Sequence, residues 1–203
     1  MEQARQARNV AILIYENVEV LDFTGPFEVF TVGSNRGKDF KVYTVAEQEY
    51  PVIALGNLSI NPRYTIHNCP PPDILIIPGG WGSRKEMNNE TLTNWISKIS
   101  KDVELVLSVC TGALILAKSN LIEGLKLTTN RLAINELREI TPQSSTILED
   151  IRYVDNGKFI FSAGVSAGID MSLYVLGKLF GAERASETAT LMEYDFNIKL
   201  QSE

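Results

Sequence analysis

Apolar and polar positions along this chain follow two different periods. Val10 to Tyr15 (Val-Ala-Ile-Leu-Ile-Tyr) is a continuous β-rich run, the pattern of a strand buried on both faces. Phe40 to Val45 alternates and predicts a second strand. Asp73 to Ile77 predicts a third, closed by Pro78-Gly79-Gly80, and Glu104 to Val109 a fourth. Ile151–Val154 and Lys158–Phe161 flank Asp155-Asn156-Gly157, and Asn-Gly supplies the positive φ angles of a tight hairpin turn. Between the strands the period becomes helical. Leu92, Trp95, Ile96 and Ile99 make one buried stripe. Ile169, Leu173, Leu176 and Phe180 make another, with Gly181 placed to cap its end. Pro26 is expected in the first turn of a helix through Glu28 to Val32. This alternation predicts an α/β fold with a mainly parallel sheet and one β-hairpin.

Length and charge narrow the picture. The chain has 203 residues and is read as one domain, residues 1–203, with residues 1–8 a polar N-terminal stretch open to disorder. The net charge is −6, and no Lys/Arg cluster is present, so nucleic acid is not an expected partner. The longest apolar run, Leu105 to Ala117, is broken by Ser108, Thr111 and Gly112, short of the ~20 residues a membrane span needs. No apolar signal core follows Met1. Cys69 and Cys110 are the two cysteines, read as free thiols in a reducing compartment. A cytoplasmic protein is therefore expected. The single histidine is His67, which limits the catalytic machines available.

The chemistry concentrates at Ser108-Val109-Cys110-Thr111-Gly112-Ala113. A buried strand ends at a cysteine and a helix begins at once with small residues, the layout of a nucleophile elbow. The helix N-terminus is expected to favour the thiolate. The bland reading is a core cysteine. Pro78-Gly79-Gly80-Trp81-Gly82 follows another buried strand. The amides of Gly80 and Thr111 are candidates to hold an oxyanion, although a plain Gly-rich strand exit would look the same. Trp81 either lines a pocket or packs as a lid. Asp22, in Val20-Leu21-Asp22-Phe23-Thr24, is either a turn or cap residue or a partly buried acid with a raised pKa.

Taken together these residues resemble the ThiJ/PfpI superfamily, and within it the isonitrile hydratase-like branch. The resemblance rests on Leu21-Asp22-Phe23-Thr24-Gly25-Pro26-Phe27-Glu28-Val29, Cys69-Pro70-Pro71-Pro72-Asp73, Ile77-Pro78-Gly79-Gly80, Ser108–Gly112 and Ser166-Ala167-Gly168-Ile169-Asp170. It implies a flavodoxin-like three-layer sandwich with helices on both faces of the sheet. It implies Cys110 as the nucleophile with Asp22 as its acidic partner, a homodimer acting on a small molecule, and no metal or organic cofactor. One departure matters. Relatives often carry a histidine after Thr-Thr, whereas this chain reads Thr128-Thr129-Asn130. Asn130 is placed with Gly80, Thr111 and Trp81 as a substrate-binding candidate, because an amide cannot act as a general base at neutral pH. His67 is expected to be a surface or capping residue. Relatives that regulate transcription extend into a helix-turn-helix region, which is not expected here.

These readings predict a cysteine-dependent hydratase of a small carbon–nitrogen substrate. Asp22 would protonate an isonitrile carbon, Cys110 would attack it to give a thioimidate, and water would release a formamide. The competing readings are a redox or electrophile sensor or stress-protective protein built on a reactive Cys110, glyoxalase or deglycase chemistry, and a protease or amidase.

Overall fold

The computed structural model describes residues 6–196. Its strands are β1 (Arg8–Leu13), β2 (Phe40–Ala46), β3 (Val52–Ile53), β4 (Ser59–Ile60), β5 (Tyr64–Thr65), β6 (Ile74–Ile77), β7 (Leu105–Val109), β8 (Lys126–Leu127), β9 (Thr146–Ile147), β10 (Tyr153–Asp155) and β11 (Phe159–Ser162). The helices are α1 (Val20–Val32), α2 (Ser83–Glu86), α3 (Glu90–Ile99), α4 (Gly112–Lys118), α5 (Ile134–Ile140), α6 (Ala167–Phe180) and α7 (Ala182–Leu191).

Seven strands form the central sheet in the order β10-β11-β7-β6-β1-β2-β5. Every pairing in it is parallel except the β10–β11 hairpin. The continuous apolar runs occupy its middle. Val10 of β1 lies opposite Val42 on one side and Ile74 on the other, and all four residues of β6 are buried. Helices cover both faces, with α1, α6 and α7 packed together on one and α2, α3 and α5 grouped around α4 on the other. This is the flavodoxin-like α/β sandwich. Among the described residues no helix is long and apolar enough to cross a membrane.

Three expectations change. The first helix starts at Val20, well before Pro26, which lies inside it. Gly25 precedes the proline, and its missing Cβ removes the clash that normally drives such a residue out of the helical region. Pro26 has no N–H, so the Asp22 carbonyl loses its usual helical donor. Asp22 thus belongs to the first turn of α1 rather than to a preceding turn. The polar stretch is shorter than expected, because Arg8 already belongs to β1. Its guanidinium bonds Glu104 at 2.6 Å and lies 5.6 Å from the Phe180 ring centre, while residues 1–5 fall outside the described residues. In the hairpin turn only Gly157 has positive φ (85°). Asp155 Oδ1 accepts the Gly157 N–H at 2.6 Å, so a side-chain turn replaces the two-residue one.

Gly112 locks α4 against the sheet, since a methyl group there would overlap the Ile77 carbonyl. Both partners are backbone, so neither can swing away. Gly112→Ala is expected to cost about 2–4 kcal/mol through overpacking and backbone strain, read as a lower urea midpoint with an unchanged slope. An unchanged midpoint would contradict this packing.

Candidate functional site

The C-terminal ends of three neighbouring strands, β1, β6 and β7, carry the segments that converge here. Open α/β sheets bind ligands along such an edge. β7 delivers Cys110, whose φ of 56° puts it in the left-handed region, a strained backbone found at functional turns. The surroundings hold that strain in place. The Cys110 N–H reaches the carbonyls of Ser162 and Ala163, both at 3.2 Å, and Thr129 Oγ1 donates to the Cys110 carbonyl at 2.7 Å.

β6 delivers Pro78-Gly79-Gly80. A methyl on Gly79 would sit 2.9 Å from Asp22 Oδ2 and 2.5 Å from the Thr111 nitrogen. Glycine is what lets the two other segments close over this one. The Gly79 N–H donates to Asp22 Oδ2 at 3.0 Å. Asp22 is fully buried, and its Oδ1 closes no aligned hydrogen bond. The Cys110 thiol lies within side-chain hydrogen-bonding reach of this carboxyl.

The amides around the sulfur differ from the expected pair. Thr111 N–H, Val165 N–H and the Asn130 side chain face Cys110. Gly80 does not take that role, because its N–H is bound to Thr111 Oγ1 at 3.0 Å. Ser83 Oγ lies 3.0 Å from the same hydroxyl, so Gly80 and Ser83 fix Thr111 while Thr111 faces the sulfur. Val165, which the sequence reading missed, turns its N–H toward both groups, since it also faces the Asp22 carboxyl. Its φ is 51°, a costly conformation for a β-branched residue. The only hint in the sequence was its place just before the Ser166-Ala167-Gly168 helix start.

Other expected residues separate. Trp81 is 73% exposed, and the Arg84 guanidinium lies 5.3 Å from its ring centre. Glu136 grips that guanidinium at 2.6 Å and so anchors Arg84. His67 sits exposed in the turn after β5, where its N–H meets Thr65 Oγ1 at 3.3 Å. Asp170 accepts from Arg152 at 2.6 Å and from the Tyr194 hydroxyl at 2.8 Å, which is structural work.

A cavity of about 360 Å³ is lined by residues that contact Cys110, though not by Cys110 itself. Thr129, Asn130 and Val165 line it beside Cys110, and the far more exposed Leu132 and Arg152 line its outer part.

Electrostatics reverse the expected resting state. Burial pushes the Asp22 carboxyl up to about 7, against the pull of the Gly79 N–H and the thiol. Burial and then the Asp22 charge push the Cys110 thiol up to about 12, although Thr111, Val165 and Asn130 all favour the thiolate. The one-turn influence of a helix end does not overcome desolvation at this depth. Burial thus favours the neutral form of both groups, and the mutual charge opposes their joint ionisation.

Fold and site together define a class, flavodoxin-like α/β proteins that present a cysteine at a strand-to-helix elbow. The DJ-1/PfpI family profile matches residues 8–178, and the chain belongs to that family. It is 29% identical over 188 residues to an isonitrile hydratase of Pseudomonas putida, covering 93% of this chain and 79% of that one. A ThiJ/PfpI family protein from Pseudomonas syringae superposes with a TM-score of 0.85 at 28% identity, covering 98% and 79% of the two chains. An HTH-type transcriptional regulator, CdhR, of Pseudomonas aeruginosa is 24% identical over 178 residues; the match covers 87% of this chain but only 52% of the regulator.

The raised carboxyl sets a pH dependence of stability. Asp22 moves from 3.8 to about 7 on folding. The folded state therefore binds the extra proton between those values, and stability falls as pH rises through that window. The cost is absent below pH ~4 and complete above ~7, at most about 4 kcal/mol. Asp22→Asn keeps an acceptor for the Gly79 N–H and removes the charge. Its melting temperature should exceed the parent's at pH 8 and match it near pH 4; equal values at both would contradict a raised carboxyl.

Proposed function

We propose that this protein is a cysteine-dependent hydratase of a small carbon–nitrogen substrate, with an isonitrile as the substrate type. One observation carries the reading: a thiol and a buried carboxyl poised near neutrality share one hollow, while the chain's one histidine sits elsewhere in an exposed turn. The likeness to the Pseudomonas putida isonitrile hydratase supports it.

The steps balance without a histidine. As the sulfur of Cys110 bonds to the terminal isonitrile carbon, its proton passes to the Asp22 carboxylate. Asp22 gives a proton to that same carbon, so the elements of S–H add across it and a thioimidate forms. Water adds across the carbon–nitrogen double bond, oxygen to carbon and a proton to nitrogen; the carbon–sulfur bond then breaks as the carbonyl forms, and the proton of the new hydroxyl returns to sulfur. The product is an N-substituted formamide. The carbon–nitrogen bond survives, so no amine departs. Thr111 N–H, Val165 N–H and Asn130 stabilise negative charge on sulfur during attack and departure. The adjoining cavity receives the nitrogen substituent and admits water.

The same features weigh against the alternatives. Amide hydrolysis needs a proton delivered to a leaving amine, and Asn130 cannot cycle one. Oxidant sensing runs through the thiolate, and burial of Cys110 beside the Asp22 carboxyl works against that form. The family resemblance supports a homodimer acting on a small molecule with no metal or organic cofactor, and chain length and two free cysteines fit a single domain in a reducing compartment such as the cytoplasm.

Turnover of an alkyl isonitrile tests this. Cys110→Ala should abolish formamide production, and Asp22→Asn should lower kcat by about 10²-fold or more. Parent-like turnover in both variants would sink the mechanism.

Substrate placement has its own test. Ala163 lines the cavity. Ala163→Leu should raise KM for a cyclohexyl isonitrile by about tenfold and leave methyl isonitrile nearly unchanged. Equal effects on both substrates would put the substituent elsewhere.

A further inference from the structure

The Asp22 carboxyl is held by one peptide group, and that peptide is itself gripped from its other end. Tyr15 follows β1 and is 6% exposed. Its hydroxyl donates to the Pro78 carbonyl at 2.6 Å. The Gly79 N–H, which donates to Asp22 Oδ2 at 3.0 Å, belongs to the same peptide unit as that carbonyl. Phenol, peptide and carboxyl therefore form a chain of hydrogen bonds in line. Hydrogen bonds in such chains polarise one another, so a donor on the carbonyl makes the N–H a stronger donor.

We infer that Tyr15 is a positioning residue for the Asp22 carboxyl, acting through the Pro78–Gly79 peptide rather than by touching substrate. Tyr15 keeps its proton throughout the neutral range, since burial and the charges of Asp22, Cys110 and Glu86 all hold it on the oxygen, with Arg84 opposing. The other groups facing Asp22 are accounted for. Glu19 at the start of α1 repels its charge, and Cys110 and the Val165 N–H favour it. None of these reaches the carboxyl through the Pro78–Gly79 peptide. Tyr15 therefore acts on the ionised form of Asp22, and losing its hydroxyl makes the carboxyl hold its proton to higher pH.

The test needs no turnover, so its failure is distinguishable from failure of the hydratase reading. Difference infrared spectroscopy across pH follows the C=O band of the protonated carboxyl, assigned by its disappearance in Asp22→Asn. In Tyr15→Phe the midpoint should rise by about half a pH unit. Tyr15 replaced by 3-fluorotyrosine, a stronger donor of the same shape, should move it the other way. A role confined to packing would leave the fluorinated protein's midpoint where the parent has it. That outcome overturns the inference, and it decides the matter even if Tyr15→Phe does not fold. Parent-like midpoints in a folded Tyr15→Phe also overturn it.

Discussion

A carboxyl group shut away from water, with one of its oxygens left without an aligned partner, is the constraint around which this site is arranged. Such a group is costly to ionise. It is held in place because three backbone segments meet on it. α1 supplies the side chain, the strand exit after β6 supplies the Gly79 N–H, and the loop before α6 supplies the Val165 N–H. The elbow after β7 sets the sulfur against the same carboxyl. The sheet makes this convergence possible. β1, β6 and β7 are consecutive neighbours, so the segments leaving them arrive within a few side chains of one another.

Two of the nine non-glycine residues with positive φ among the described residues lie at the site, where they aim a sulfur and a donor. Cys110 and Val165 both adopt positive φ without being glycine. Conformations of this kind cost about 1–3 kcal/mol each. For Cys110 the strain presents the sulfur above the sheet edge, and bonds to the Cys110 N–H and carbonyl hold it. For Val165 it turns one N–H toward the thiol and the carboxyl together. The turn at Gly79 and Gly80 contributes differently. There, the missing side chain of Gly79 lets Asp22 and Thr111 approach the backbone, and that of Gly80 admits the backbone of Asn17 to Glu19.

Much of this could be read from the chain, for identifiable reasons. Buried parallel strands leave continuous apolar runs, so β1, β6 and β7 were plain to see. The elbow was visible because a strand running straight into small helical residues has few alternatives around Cys110. The start of α1 was not, because Pro26 reads as a first-turn residue, and only the pairing with Gly25 lets it lie inside the helix. Val165 was hidden because its contribution is a backbone N–H, which any residue carries. The Gly80 amide was misassigned for the same reason: the sequence places the group near the sulfur but does not reveal that the Thr111 hydroxyl takes it. Arg84 and Glu136 were illegible as a pair, since they lie 52 positions apart.

The proton's resting place explains how such a site can work without an imidazole. A free thiolate beside an ionised carboxylate would put two like charges in a space that excludes water. Desolvation and mutual repulsion oppose joint ionisation and favour the neutral thiol. Asp22 then has the property a proton carrier needs, because near pH 7 it accepts and releases with comparable ease. A histidine would supply a second carrier, which a reaction with a leaving amine requires. Adding S–H to a single carbon and later removing it needs only one. Asn130, a donor facing sulfur, fits the proposed chemistry, in which one proton travels a short path between a thiol, a carboxyl and the reacting carbon.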